Sequence, residues 1–224
     1  MAVAVLALAA WMLLPQILNG FTSDRPIEID ASASEPLRQL ASLEVAEGGD
    51  LSDAPPYSRA QFGDGWADLD ADGCNTRNEI LARDLTDLDF ESDARACVVQ
   101  GGILEDPYTD TTIVFQRGEQ TSAAVQIDHV VALANGWRSG AWQWNAEDRL
   151  RFANDPLNLL AVEGAANQTK GASTADQWLP DNKGYRCDYA ARQVAVKYKW
   201  NLTVTRDEQQ ALNRVLKDCP SITF

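Results

Sequence analysis

The chain has 224 residues, of which 45% are apolar, and this is enough for one domain with its own core and an additional tail. Its formal net charge of −14 argues against a protein that binds nucleic acid through an overall positive charge. The charge is uneven: residues 1–136 carry 7 basic and 23 acidic residues, and residues 137–224 carry 12 and 10. We therefore expect any binding to nucleic acid to be weak and strongly dependent on salt.

The N-terminal segment is uncharged and apolar over residues 1–18. Such a segment is typical of a signal peptide or a membrane anchor, and both imply export. No Lys or Arg precedes the apolar run and no clear A-x-A cleavage site follows it, so cleavage is left open. Residues 19–56 are rich in Ser, Ala, Asp and Glu and end in two prolines, which predicts a flexible acidic linker. Residues 57–224 are then the globular domain.

An acidic segment opens this domain. Asp68, Asp70, Asp72, Gly73 and Glu79 match positions 1, 3, 5, 6 and 12 of an EF-hand calcium loop. An asparagine stands at position 8, where an EF-hand usually has an apolar residue. The alternative is an acidic turn that runs into a helix, whose capping box is formed by the Thr-Arg-Asn-Glu sequence at 76–79, with Arg77 paired to an aspartate. Both interpretations stay open at this point.

The remaining elements alternate between strands and helices. Runs of β-branched and apolar residues predict strands over 111–115, 123–127 and 157–162. Helical patterns cover residues 130–138, 147–153, 165–170, 188–200 and 205–219. A second capping box, from Thr205 to Glu208, begins the last of these helices. The pattern predicts an α+β fold.

Four cysteines are present, and none belongs to a C-x-x-C pair, so a zinc knuckle is not expected. An even number in an exported chain favours disulfides. Cys187 precedes one long helix and Cys219 ends the next, and an antiparallel helix pair would bring both to the same end. We therefore predict the bonds Cys187–Cys219 and Cys74–Cys97.

The chain contains a single histidine, His129. This excludes H-E-x-x-H and three-histidine zinc sites, and the sequence also lacks a G-x-S-x-G elbow, a P-loop and a G-x-G-x-x-G loop. A lone histidine is structural more often than catalytic. Here, however, Asp128 precedes it at the end of a predicted strand, and Asn158 and Asn167 follow.

These four residues suit the hydrolysis of phosphodiesters. The reaction needs a base that takes a proton from water and a divalent cation that neutralises the phosphate. A neutral imidazole suits the first task, and the hard oxygen ligands of Asp and Asn suit Mg²⁺ or Mn²⁺. Taken singly, Asn158 is better explained by a turn and Asn167 by a helix cap. Their combination with Asp128 and His129 is what favours a catalytic site.

The motifs around these residues make a family resemblance specific. They are QIDHVVAL at 126–133, FAND and NL within 152–159, NQTKG at 167–171 and WLP at 178–180. Together they resemble the HNH (ββα-metal) nucleases related to the C-terminal domain of GmrSD restriction enzymes, in particular an exported actinobacterial branch. The similarity covers residues 57–219 and includes Trp66 and Cys187. It implies a small ββα-metal core elaborated with helices.

The resemblance also implies roles for single residues. His129 matches the general base, at a site expected to be partly exposed, and Asp128 matches a metal-binding carboxylate. Asn158 matches the residue that organises the loop holding the histidine, and Asn167 matches a second metal ligand. On a regular strand, adjacent Asp128 and His129 would face opposite sides, so the strand must end or distort there.

Three basic residues and four tryptophans near these motifs have structural alternatives. Lys170 suits either a contact with phosphate or a cover for the helix end. Arg149 and Arg151 are expected to be solvated helix charges rather than DNA contacts. The tryptophans are expected to pack in the core: Trp137, Trp142, Trp144 and Trp178.

The sequence thus predicts a secreted or membrane-anchored endonuclease that depends on Mg²⁺ or Mn²⁺, acts on DNA, and needs no protein partner. A structural Ca²⁺ is a further possibility. The main alternative is a catalytically inactive, calcium-binding interaction module of the cell surface, for which the acidic segment and the disulfides would suffice. A second alternative is a membrane-tethered toxin with an immunity partner. A pure binding module has no reason to combine Asp128, His129, Asn158 and Asn167.

Overall fold

The computed structural model describes residues 33–46, 54–92 and 97–219. The predicted signal or anchor at 1–18 and most of the predicted linker at 19–56 lie outside these residues. In the described part of the chain, no helix is both long and apolar enough to cross a membrane.

Seven helices and five strands form the described fold, which is α+β as predicted. In chain order they are α1 (Glu35–Ser42), α2 (Thr76–Asp84), β1 (Thr86–Phe90), β2 (Val99–Glu105), β3 (Thr112–Gln116), β4 (Val125–His129), α3 (Leu133–Arg138), α4 (Ala146–Ala153), β5 (Leu159–Glu163), α5 (Gly164–Lys170), α6 (Arg186–Lys199) and α7 (Arg206–Leu216). A short 3₁₀ helix, Arg59–Phe62, precedes α2.

The strands form two antiparallel sheets. One has the order β1-β2-β3, and the other pairs β4 with β5 so that His129 lies opposite Leu159. Helix α2 packs against both sheets, and its Ile80 and Leu81 join Phe115 of β3 and Ile127 of β4 in one apolar cluster. Helices α3 and α4 lie between β4 and β5 in the chain, whereas α5 begins directly after β5 and contacts both of these strands.

A second cluster joins α1, α6 and α7. Leu40 of α1 is fully buried and packs with Val194 of α6 and Leu212 of α7. Within it, Lys197 and Glu208 form a fully buried ion pair at 2.8 Å. Part of the segment expected to be a flexible linker is therefore folded, and the domain begins before residue 57. The leucines at 37, 40 and 43 make these contacts. Three apolar residues are too few to indicate a helix in a segment rich in acidic residues and serine.

Both predicted disulfides are confirmed. Cys187–Cys219 joins the start of α6 to the end of the helical turn that follows α7, and its Cα atoms are 5.7 Å apart. Cys74–Cys97 joins the acidic segment to the residues before β2, with Cα atoms 5.8 Å apart. The first supports the predicted antiparallel pairing of the two long helices.

Several boundaries differ from the predictions. Helix α2 is capped by Asn75, whose side chain accepts from the Asn78 N–H, and not by the predicted box beginning at Thr76. The cap at Thr205 is as predicted, since its side chain accepts from the Glu208 N–H. Helix α3 starts at Leu133, three residues later than expected. Strands β1 and β2 were not predicted, because alternating aspartates in one and two glycines in the other hide the strand pattern.

Two of the basic side chains and the tryptophans can be compared with expectation. Arg151 is exposed and paired with Glu147, as expected. Arg149 is not simply solvated, since it donates to the Gln61 carbonyl at 2.9 Å and lies over the ring of Trp137. The four tryptophans pack against the apolar clusters of the core as predicted.

We predict that Leu40→Ala lowers the free energy of unfolding by about 2–5 kcal/mol, because it removes a fully buried side chain from the α1–α6–α7 cluster. Chemical denaturation monitored by circular dichroism measures the change. Arg38→Ala on the exposed side of α1 is the control and should change it by less than about 0.5 kcal/mol. Equal stability of both variants would show that α1 does not contribute to the fold.

Candidate functional site

A cavity of about 470 Å³ opens beside the end of β4. Asp128, His129 and Asn167 line it, so the structure brings three of the four predicted site residues together. Asn158, the fourth, lies behind them and is fully buried. The cavity wall also contains Trp66, an aromatic side chain that precedes the acidic segment.

His129 is held in one orientation by a hydrogen bond and a ring contact. Its Nε2 lies 2.8 Å from the carbonyl oxygen of Ala153, and because a carbonyl only accepts, this nitrogen carries the hydrogen. The Trp66 ring stacks on the imidazole, with centroids 5.7 Å apart and planes inclined by 8°. Nδ1 makes no hydrogen bond to any described residue. The ring thus presents its unprotonated nitrogen as a proton acceptor.

The side chain of His129 is buried rather than partly exposed, with 6% of its surface accessible. Burial lowers the pKa of the imidazole from 6.5 to about 3, and the positive charges of Arg59 and Lys170 act in the same direction. The hydrogen bond to Ala153 opposes this change. The histidine is therefore neutral at physiological pH, which is the form that can accept a proton.

Asp128 uses both of its carboxylate oxygens. Oδ1 accepts from the ammonium of Lys170 at 2.9 Å, and Oδ2 accepts from the hydroxyl of Tyr108 at 2.5 Å. Burial raises the pKa of Asp128, while the Lys170 charge and the Tyr108 hydroxyl lower it. The carboxylate is thus a fixed group rather than a freely rotating one.

Lys170 is fully buried, so neither of the two roles considered for it from the sequence describes its position. Besides the ion pair with Asp128, its ammonium donates to the backbone carbonyl of His129 at 2.9 Å. These two contacts connect the last residue of α5 to the last two residues of β4. Lys170 therefore fixes where the strand ends.

Asn158 braces the loop that follows His129. Its Oδ1 accepts from the N–H of Val131 at 2.8 Å, and its Nδ2 donates to the carbonyl of the same residue at 3.1 Å. Its own carbonyl accepts from the N–H of Val130 at 2.8 Å. This geometry suits the orienting role that the resemblance implies.

The predicted metal ligands can be tested for their fit to a cation. Asn167 donates from Nδ2 to Gln126 at 2.9 Å, and its Oδ1 accepts no hydrogen bond from the described residues. Each oxygen of Asp128 keeps a second lone pair beyond its present bond. One carboxylate and one amide oxygen at the same cavity fit a hard divalent cation that keeps several waters, as Mg²⁺ does.

The adjacent residues Asp128 and His129 have different neighbours, as a strand requires. Asp128 meets Tyr108 and Lys170, and His129 meets Ala153 and Trp66. Both reach one cavity because β4 ends at His129. The end of the strand, rather than a distortion within it, resolves the geometric problem.

The acidic segment forms a second cluster of oxygens. Carboxylate oxygens of Asp68, Asp70 and Asp72 lie within 4.8 Å of one another, an arrangement that could hold a metal ion. Each of these carboxylates also accepts a backbone N–H from within the loop. Burial and these three charges raise the pKa of Glu79, which places that carboxylate near them. The calcium site itself stays a prediction, which calorimetry of a Ca²⁺ titration can check.

Three residues of the site were not predicted from the sequence. Tyr108 lies in a turn far from Asp128 along the chain, and no spacing relates the two. Arg59 and Arg77 also line the cavity. The sequence placed Arg77 in a capping box and, in the acidic-turn interpretation, in a pair with an aspartate. No such pair forms among the described residues, and Arg77 lines the cavity instead, because α2 packs against β4. Only the three-dimensional arrangement identifies these side chains.

Comparison with known proteins gives two matches. The model of the family described as GmrSD restriction endonucleases, C-terminal domain, matches residues 75–215. An uncharacterized secreted protein of Arthroderma benhamiae is 36% identical over 165 residues, which span 73% of this chain and 76% of that relative. No solved structure matches the chain. The family match includes β4, β5 and α5 and therefore Asp128, His129, Asn158 and Asn167; neither match indicates an actinobacterial branch.

We predict that the imidazole of His129 stays neutral, with its hydrogen on Nε2, when the pH falls through 6.5, because its pKa in the folded state is about 3. Between these values the unfolded chain takes up a proton that the folded chain does not. Stability is therefore fully present above pH 6.5 and decreases toward pH 3, by up to about 1.4 kcal/mol per pH unit from this group.

Since the chain has one histidine, ¹⁵N NMR of labelled protein reports this ring alone. The urea-unfolded chain is the control and should titrate near the ordinary value of 6.5. A folded protein whose ring also titrates there would contradict the buried, neutral imidazole.

Proposed function

The chain belongs to the family of GmrSD restriction endonuclease C-terminal domains, and we propose that it is a secreted, metal-dependent endonuclease of the HNH (ββα-metal) type. It hydrolyses phosphodiester bonds, with DNA as the substrate. Strands β4 and β5 and helix α5 supply the ββα unit. The observation that carries the proposal is the imidazole of His129, held neutral and with no partner for Nδ1 among the described residues, at a cavity shared with Asp128 and Asn167.

His129 is the general base in this proposal. Nδ1 takes a proton from water as the water attacks phosphorus, and the Ala153 carbonyl stabilises the resulting imidazolium through Nε2–H. A pKa of about 3 in the free protein makes this a weak base. A phosphate anion at the cavity favours the protonated ring and raises its basicity when substrate is bound.

Asp128 and Asn167 would hold the divalent cation. Such a cation supplies positive charge at the phosphate and at the leaving oxygen. Asp128 is kept in place by Tyr108 and Lys170, and Asn167 by Gln126. Asn158 acts at a distance, since it orients the loop after His129 and does not face the cavity.

Three observations support export. The similar protein from Arthroderma benhamiae is described as secreted. Two disulfides are formed among the described residues, and such bonds persist in oxidising compartments. Residues 1–18 are uncharged and apolar. Whether this segment is cleaved or remains as an anchor falls outside the described residues.

One observation favours a second function, that of a catalytically inactive calcium-binding module. It is the cluster of Asp68, Asp70 and Asp72. This alternative requires Ca²⁺ binding without cleavage of nucleic acid, so a single cleavage assay separates the two functions.

We predict that the purified protein nicks and linearises a supercoiled plasmid with Mg²⁺ or Mn²⁺ and that EDTA stops the reaction. His129→Gln should lower the rate by about 10²–10⁴-fold, because an amide cannot accept the proton. The amide still donates to the Ala153 carbonyl, so this buried site keeps a hydrogen bond that His129→Ala would lose. Gel electrophoresis of the plasmid, with DNA and RNA oligonucleotides in parallel, measures the activity.

The variant should be purified in the same way as the wild type, so that contaminating nucleases are equal in both. A folded His129→Gln protein that cuts at the wild-type rate would refute the role of His129. Absence of cleavage with either metal and either nucleic acid, together with Ca²⁺ binding, would favour the inactive module.

We also predict that Asp128→Asn and Asn167→Ala raise the Mg²⁺ concentration for half-maximal rate, because each weakens a metal ligand. Asn158→Ala should lower the rate with little change in that concentration, since its side chain hydrogen-bonds to Val131 of the loop and does not line the cavity. Gln168→Ala is the control, as an exposed cavity residue without an assigned role. An equal metal dependence in all four variants would contradict the ligand assignment.

A further inference from the structure

The wall of the cavity differs in charge from the chain as a whole. Two arginines, Arg59 and Arg77, line it in a chain whose net charge is −14. Among the described residues of the wall, Asp128 is the one acidic residue, and its charge is balanced by the ammonium of Lys170 at 2.9 Å. The cavity around His129 is therefore a local site of positive charge.

Most hydrogen-bond donors of the Arg77 guanidinium are unused among the described residues. Its guanidinium carries five N–H groups, and one of them makes a long bond of 3.4 Å to the carbonyl of Val125. Among residues 33–46, 54–92 and 97–219, no carboxylate pairs with it. A half-buried guanidinium without a carboxylate partner is an incomplete arrangement, which an anion would complete.

A second guanidinium, that of Arg117, lies near Arg77. Arg117 is bound to the carbonyl of Val99 at 2.7 Å and to Oδ1 of Asn78 at 2.6 Å. Burial and the charge of Arg117 lower the pKa of Arg77, so the two cations are close enough to repel each other. An anion in the cavity would relieve this repulsion.

Contacts within the protein hold the backbone of Arg77 in place before any ligand binds. It lies in the first turn of α2, which Asn75 caps and which the Cys74–Cys97 bond holds on one side. Thr76 donates both its N–H and its hydroxyl to the carbonyl of Ala67 at 2.8 Å. The backbone of this turn is thus already ordered, and only the side chain of Arg77 has to be ordered when it binds a ligand.

We propose that Arg77 binds a phosphate group of the substrate backbone beside His129, with Arg59 as a second, exposed cation at the same cavity. This rests on the proposed function and names a contact within it. The planar guanidinium can grip two phosphate oxygens at once, which a single ammonium cannot do. A contact to phosphate carries no sequence information, so it positions any strand equally.

The test is binding of a fluorescein-labelled single-stranded DNA in EDTA, followed by fluorescence anisotropy over a range of NaCl concentrations. Arg77→Ala should weaken binding by about tenfold or more, because a charge-assisted bond is lost. The slope of log K against log salt should become shallower by about 0.7, the value for one phosphate contact on a single strand. The loss should be equal for oligonucleotides of different sequence.

Arg151→Ala is the matched control, because it removes one exposed arginine that pairs with Glu147 and does not line the cavity. Its affinity and salt slope should equal those of the wild type. Arg77→Gln keeps a donor for the Val125 carbonyl but no charge, so it decides the question if Arg77→Ala proves unstable. A folded, uncharged variant at position 77 with the wild-type slope would overturn the proposal.

A second measurement separates this proposal from the nuclease function. Inorganic pyrophosphate, which is not a substrate, should raise the melting temperature of the wild type and of Arg151→Ala, but not of Arg77→Gln. If the wild type cuts DNA and its Arg77 variants cut and bind DNA equally well, the proposed phosphate contact is wrong and the nuclease function stands. A protein that shows the pyrophosphate effect but never cuts nucleic acid overturns the nuclease function and leaves an anion site at Arg77.

Discussion

The contact on which the site depends is the buried ion pair between Lys170 and Asp128. A buried pair is costly unless its remaining donors and acceptors are satisfied. Here the second oxygen of Asp128 accepts from Tyr108, and Lys170 also donates to the carbonyl of His129. The pair thus joins the end of α5 to the end of β4. Because the strand stops where Lys170 binds it, two neighbouring side chains reach one cavity.

A second set of contacts positions the imidazole from the opposite side. The carbonyl of Ala153 accepts from His129, and Oδ1 of the next residue, Asn154, accepts from the N–H of Ala67. Ala67 follows Trp66, whose ring stacks on His129. The end of α4 therefore holds both the imidazole and the segment that covers it.

The parts of the site that could be predicted from the sequence are those that lie in short motifs or in long, regular helix patterns. Asp128 and His129 are adjacent, Asn158 and Asn167 lie within short motifs, and the helix pattern at 188–219 is long enough to place Cys187 and Cys219 together. Tyr108, Arg59 and Arg77 could not be assigned, because only the packing of sheets and helices brings Tyr108 to Asp128 and the two arginines to the cavity wall. Helix α1 was missed for another reason: its few leucines gain their burial only from α6 and α7.

The burial of His129 limits how solvent reaches its ring. His129 has 6% of its surface accessible, Trp66 stacks on one face of the ring, and Nε2 lies against the Ala153 carbonyl. In the proposed reaction, the ring would therefore exchange its proton with solvent only through the cavity. A product that stayed in the cavity would then also delay the return of the base to its neutral form.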